Sequence, residues 1–406
     1  MKRILIANGS FSSLVLASLL QGKLNAGDNN FFLGYFKNTS LEKSKALFAF
    51  FNYLITAQKN LNFFDYKSSF NFDFKKLDSD LGEKDIDEIY IPINSRTKQI
   101  YKSFKKHYGT ASFIFYEEGL MSYVKPLLDF SLRKIMRKNQ NYYIFYHEKL
   151  RNLLLKSFPF INFQTITKDS LLESIRTIQK TLLQYDNKIK LNMQKEQQGF
   201  IKAPHADKYV LVLPQYYFEK NAGKTKKIIN MYYENIQRLI TEGYTVIFKD
   251  HPKAALKYSA ELKPCFSPQS FLLFEDIMIR DKLNLTGSNE ILKILEILPV
   301  EVVAEKIKIN AVFSVYSTSL FTFKHLFNID PLTDIKMLDY RINIFSLYPT
   351  LSALLVKNTL ALPLKNTNFT VLNNAACTCR RGILYTDNIP LKIIIMMLKL
   401  IHKYKE

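Results

Sequence analysis

The stretch Tyr244-Thr245-Val246-Ile247-Phe248-Lys249-Asp250-His251-Pro252-Lys253 decides how this chain folds. Residues 244–248 are aromatic and β-branched, and the Gly243 before them is the usual left-handed cap after a helix. They read as a buried strand, which puts the His–Pro step just past its carboxyl end. In open α/β sheets that edge is where ligands bind. Pro252 fixes its own φ and pushes His251 towards extended geometry. Lys249 and Lys253 add positive charge on both sides. An imidazole held among cations suits a phosphate that gains charge as it leaves. Taken alone, the stretch also fits a strand-ending turn with one surface histidine.

Working outward, the same alternation continues. A strand at Tyr209–Leu213, stopped by Pro214, and a helix at Lys226–Glu242 precede it. A strand at Phe271–Phe274, a helix at Ile291–Ile297, a helical or turn-like piece at Glu301–Lys306 and a strand at Ala311–Val315 follow. The first half shows strands at Ile4–Ala7, Phe31–Tyr35, Glu88–Pro92 and Ser112–Tyr116. Helices read at Ser12–Leu20, Leu41–Gln58, Thr97–His107, Leu127–Lys138 and Tyr146–Lys156. Such alternation predicts a mostly parallel sheet covered on both faces. The polar helical run Asp169–Gln198 reads as the linker. The expected fold class is therefore α/β, with two Rossmann-like doubly wound domains facing a cleft. Residues 1–200 form the first and residues 201–388 the second, and residues 389–406 form a closing amphipathic helix.

Composition narrows the class. With 406 residues and 47% hydrophobic side chains, the chain can bury two large cores. Cys265, Cys377 and Cys379 are too few for a disulfide framework, and Cys377-Thr378-Cys379 has the wrong spacing for zinc. The expectation is a reducing compartment and no metal. The net charge of +21 implies a polyanionic partner. Lysine is spread along the whole chain, and no arginine-rich motif or RNA-binding aromatic signature stands out, so nucleic acid is set aside. The opening apolar run breaks at Asn8-Gly9-Ser10, too early for a secretory core. Pro390 to Tyr404 is apolar on most sides and basic on the rest. It reads as a helix packed across the two domains, with a membrane-surface helix as the alternative.

Three further constellations join His251. Glu117-Glu118-Gly119 directly follows the strand Ser112–Tyr116. Neighbouring residues on a strand point to opposite faces, so one carboxylate can face the cleft while the other supports the backbone. Ser317-Thr318-Ser319 follows a strand and opens a helix, a place that caps backbone donors and also binds phosphate. Glu301 is a lone glutamate in the apolar run Leu298-Pro299-Val300-Glu301-Val302-Val303, placed to grip ribose hydroxyls.

Together these pieces resemble the bacterial sialyltransferases of the two-domain nucleotide-sugar transferase fold, called GT-B. Those families carry an acidic pair followed by glycine in the first domain, and a His–Pro step and a Ser/Thr pair in the second. Here the matching positions are Glu117-Glu118-Gly119, His251-Pro252 and Ser317-Thr318. The basic chain is most similar to the capsule polysialyltransferases. The resemblance implies an inverting, metal-independent glycosyltransferase with CMP-sialic acid as donor and no cofactor. Glu118 is the expected general base, with Glu117 as its possible replacement, and His251 assists the departing phosphate. Gly119, Lys249, Pro252, Glu301, Ser317, Thr318 and Ser319 are the expected donor-side residues. The first domain takes the acceptor and the second the nucleotide sugar.

The implied acceptor is oligo- or polysialic acid, itself a chain of carboxylates. A groove of Lys125, Arg133, Lys134, Arg137 and Lys138 is the expected acceptor site, because helical spacing puts Arg133 and Arg137 on one face. The resemblance places the enzyme in the bacterial cytoplasm, where peripheral contact with the anionic inner membrane or the capsule export machinery is open. A lipooligosaccharide sialyltransferase that adds a single residue would share every motif. A non-enzymatic basic polyanion-binding protein is the remaining alternative.

Overall fold

The computed structural model describes residues 1–7, 10–20, 28–34, 61–65, 72–82, 85–94, 96–119, 122, 130–138, 141–144, 163–192, 208–214, 222–251, 256–278, 283, 285, 287–304, 306–315, 317–334, 337, 378–380 and 383–385. The helices expected at 41–58 and 146–156 and the closing helix at 389–406 lie outside the described residues. Among the described residues, two parallel sheets carry the fold.

The front sheet is built from β1 (Lys2–Ala7), β2 (Asn29–Gly34), β3 (Leu61–Asp65), β4 (Glu88–Ile93), β5 (Ser112–Glu117), β6 (Tyr142–Ile144) and β7 (Phe163–Thr165). Its order is β3-β2-β1-β4-β5-β6-β7, and every pairing is parallel. Ile4, Leu5, Ile6 and Ala7 are all buried, as are Phe113, Ile114, Phe115 and Tyr116. Unbroken apolar runs of this kind mark strands covered on both faces. The covering helices are α1 (Ser10–Leu20), α2 (Phe74–Leu81), α3 (Thr97–His107) and α4 (Phe130–Lys138). At the amino-terminal edge the buried Arg3 guanidinium donates to Asp28 at 2.7 Å and to Glu88 at 2.9 Å. That network ties β1 to its neighbours and leaves the chemistry to the opposite edge.

A 25-residue helix, α5 (Lys168–Asn192), follows. It bears out the helical reading of this stretch, which joins the two sheets, and adds a buried apolar stripe to it. Leu171, Ile175, Ile178, Leu182 and Tyr185 recur every three or four residues and are buried. Ser170 meets Ser18 of α1, with Oγ atoms 2.8 Å apart.

The rear sheet is built from β8 (Tyr209–Val212), β9 (Thr245–Phe248), β10 (Phe271–Leu273), β11 (Ile309–Phe313) and β12 (Asp330–Leu332). Its order is β10-β9-β8-β11-β12, again parallel throughout. α6 (Ala222–Thr241) buries Ile228, Tyr232, Ile236 and Leu239 against it. Gly243 then turns the chain at φ 85°. Short helices α7 (Tyr258–Leu262) and α8 (Phe274–Ile277) precede α9 (Asn289–Ile297), α10 (Glu301–Ala304) and α11 (Ser319–Phe327). Gln179 of α5 donates to the Val302 carbonyl of α10 at 2.6 Å, and Tyr185 of α5 donates to Glu290 of α9. Thus α5 holds both sheets. The strand orders reverse between β1 and β4 and between β8 and β11, the switch points where doubly wound sheets open a crevice. The expected fold class therefore stands. Among the described residues, no helix is long and apolar enough to cross a membrane.

Because Ile175 is fully buried in α5, Ile175→Ala is expected to cost about 2–5 kcal/mol in denaturant unfolding. A loss within about 0.5 kcal/mol, typical of an exposed position, would mean that the stripe is not packed.

Candidate active site

Glu117 is the last residue of β5 and pairs with Ile93 at the end of β4. Strand alternation separates the acidic pair: Glu117 is buried at 3% exposure, whereas Glu118 is half-buried. Each group at this edge is held by its neighbours. The Glu118 backbone N–H donates to Ser122 Oγ at 2.7 Å, and the same hydroxyl donates to the Ile93 carbonyl at 2.8 Å. Asn94, one residue beyond β4, donates from Nδ2 to Glu118 Oε2. Sequence reasoning missed both Asn94 and Ser122. A lone Asn after a strand is an ordinary turn signal, and only the parallel register puts it opposite Glu118.

Gly119 turns with φ +133° and is buried. A Cβ at this position would stand 2.7 Å from Thr318 Oγ1 and 3.4 Å from Thr318 Cγ2. Glycine is required here twice, by the backbone conformation and by the close approach. The approach also joins two motifs that lie far apart in sequence. Thr318 and Ser319 open α11, directly after β11, and the Ser319 N–H donates to Ser317 Oγ at 3.2 Å. The acidic loop of the front sheet thus sits against the hydroxyl-rich helix start of the rear sheet.

The His–Pro stretch leaves β9 at the same edge of the rear sheet. Phe248 and Phe313 both register with Val212 of β8, so His251 and Ser317 depart from strands about 10 Å apart. His251 is half-buried, and Pro252 lies outside the described residues. The residues before His251 are pinned. Asp250 accepts from the Ser259 hydroxyl and, at 3.3 Å, from the Ser259 N–H of α7. Burial pushes the Asp250 carboxyl above its usual range, and the Ser259 bonds oppose that shift.

Two expected donor-side residues turn inward. Lys249 is buried, and its ammonium donates to the carbonyls of Leu295 and, at 3.3 Å, Glu296 at the end of α9. It lies 3.8 Å from Glu275 and 4.5 Å from the centre of the Phe274 ring. A helix carboxyl end carries partial negative charge, which suits a cation. Burial lowers the Lys249 pKa, against the opposing pull of Glu275 and Glu296. Glu301 is also buried, and its Oε1 accepts from Thr322 of α11 at 2.6 Å. Of the expected acceptor residues, Lys134 and Arg137 are exposed on α4, while Lys125 lies outside the described residues. Arg133 and Lys138 belong to the same helix, with side chains outside the description. Among the described residues no group of three or more His, Cys, Asp or Glu side chains could hold a metal ion.

A family model described as "Alpha-2,8-polysialyltransferase (POLYST)" matches residues 51–334. Comparison with curated proteins gave no match. Among solved structures, the sialyltransferase from Photobacterium damsela is similar at 10% identity and TM-score 0.43, covering 79% of this chain and 72% of that one. The Methanocaldococcus jannaschii UDP-GlcNAc 2-epimerase is similar at 12% identity and TM-score 0.46, covering 99% of this chain and 100% of that one. The E. coli ADP-heptose LPS heptosyltransferase II is similar at 13% identity and TM-score 0.34, covering 82% and 84%.

Two outcomes follow from the site geometry. Gly119→Ala is expected to destabilise the protein by about 1–3 kcal/mol through backbone strain and overlap with Thr318. Combining it with Thr318→Ala should recover about 1 kcal/mol of that loss in a double-mutant cycle, and strict additivity would mean the two loops do not press on each other. Lys249→Met should cost about 3 kcal/mol of stability without altering nucleotide affinity. Weaker nucleotide binding at unchanged stability would return Lys249 to the donor site.

Proposed function

This chain belongs to the alpha-2,8-polysialyltransferase family, and from that membership we propose that it extends a sialylated glycan with sialic acid drawn from CMP-sialic acid, in one inverting displacement. The observation that supports the reading is the close approach of Gly119 to Thr318, which brings the Glu117-Glu118 loop against the start of α11.

In the proposed reaction an acceptor hydroxyl attacks the anomeric carbon of the donor sugar. Its proton passes to Glu118, the half-buried member of the acidic pair. The bond from the anomeric carbon to the phosphate oxygen breaks, and CMP departs with the bonding electrons. His251 donates a proton or hydrogen bond to that phosphate. Ser317, Thr318 and Ser319, with the first N–H groups of α11, hold its charge. These groups supply the stabilisation that the leaving phosphate needs, so the reading involves no metal. Pro252 limits where the His251 ring can stand. Lys249 and Glu301 act from behind: one is bonded to the end of α9 and the other to Thr322 in the first turns of α11. Lys134 and Arg137, exposed on α4, are the described members of the basic face that would follow the carboxylates of the acceptor.

Incubation with CMP-sialic acid and a short labelled oligosialic acid, followed by sizing, is expected to give longer products. Glu118→Gln should abolish transfer with CMP affinity and melting temperature near those of the parent. Full activity in that variant would remove the base assignment. His251→Ala should lower kcat by about 100-fold or more while changing donor binding little. A pure loss of binding would make His251 a positioning residue.

A further inference from the structure

We infer that Asn94 is the positioning residue for the Glu118 carboxylate, fixing its orientation and holding it ionised, an assignment that rests on Glu118 being the base. The register of the front sheet leads to this directly. Pro92 pairs with Tyr116 and Ile93 with Glu117, so one step further puts Asn94 beside Glu118. The Asn94 amide is itself held on both sides. Its Oδ1 accepts the Arg96 N–H at 2.7 Å, which leaves the NH2 end turned to Glu118 Oε2. Its backbone N–H donates to Thr97 Oγ1 at 2.6 Å, and Thr97 Oγ1 donates to the Pro92 carbonyl at 2.9 Å. Asn94 and Thr97 are both buried. The residue therefore has one orientation to offer.

A neutral N–H donor on a carboxylate favours the charged form. Half-burial of Glu118 works in the opposite direction, because leaving water favours the protonated acid. Asn94 offsets that cost without adding a positive charge, which would weaken the base more. Other groups carried by the elements meeting here are Glu117 on the opposite face of β5, and Arg96 and Lys98 at the start of α3. On the rear side they are Ser317, Thr318, Ser319 and His251. Of these, Arg96 engages Asn94 through its backbone N–H.

The test is Asn94→Asp in the full chain. This change keeps the size of the side chain and the oxygen that takes the Arg96 N–H, and replaces only the NH2 donor with an acceptor. Two carboxylates then share one proton. The acid limb of the kcat/KM–pH profile is expected to move up by about one pH unit or more, with activity regained as pH rises. Melting temperature and CMP affinity should stay near the parent values. Asn94→Ala, which removes the donor without adding charge, should move the limb the same way by less. An unmoved limb in both variants, with kcat/KM lowered evenly at every pH or not at all, overturns the inference. Glu118→Gln, run alongside, separates the two failures: if it stays active the base reading itself has failed, and if it is inactive only the role of Asn94 has.

Discussion

The absence of a side chain at Gly119 is the constraint on which the rest of the site depends. The front sheet delivers its acidic pair at the end of β5, and the rear sheet delivers its hydroxyls at the start of α11. The two can meet only if nothing stands between them. A Cβ on Gly119 would lie 2.7 Å from Thr318 Oγ1, closer than real Cβ atoms come to their neighbours. The positive φ of Gly119 turns the chain there, just after Glu118 has left the strand. Close approach and sharp exit are thus one requirement, met by one residue type.

Around that contact, two buried charged groups, Lys249 and Glu301, and the half-buried Asp250 do the holding. Lys249 ties the end of β9 to the end of α9. Asp250 ties the next residue to α7. Glu301 ties α10 to α11 through Thr322. Each removes a charge from water, which is costly unless the partner geometry is good. The hydrogen bonds given above run to a carbonyl, hydroxyl or N–H on a neighbouring element, with Glu275 also 3.8 Å from Lys249, so these residues fix where His251 and Ser317 leave the sheet. Charge near a candidate site also serves the frame: Lys249 and Glu301 are both bonded to neighbouring elements.

How much of this was legible follows from what each signal depends on. The strands at Ile4–Ala7, Ser112–Tyr116 and Tyr244–Phe248 were legible because central parallel strands are apolar on both faces and need no partner to be recognised. The motifs at their ends were legible because Gly, Pro and paired carboxylates restrict backbone or chemistry locally. The strands at 142–144, 163–165 and 330–332 were not, since three residues carry too short a pattern. Nor was the role of α5, whose polar composition hid a buried stripe at three- and four-residue spacing. Asn94 was invisible for another reason. Its meaning comes from lying beside Glu118 in register, and register is a property of two strands and not of one.

The same frame limits how the two sheets can move. One continuous apolar cluster includes Leu14 and Leu16 of α1, Ile175 and Ile178 of α5, Leu295 of α9, Val302 of α10 and Leu320 of α11. Along α5 the front sheet is engaged at Ser170 and the rear at Gln179 and Tyr185. From Ser170 to Gln179 is about 14 Å of helix. A wide swing of one sheet against the other would break a packed core and bend a buried helix within that length. The helix-borne contacts behind the site therefore impose the approach of Gly119 to Thr318 in front of it. In the proposed reaction, groups held this way would be in place before the substrates arrive, which is the condition under which fixed dipoles stabilise a departing charge most effectively.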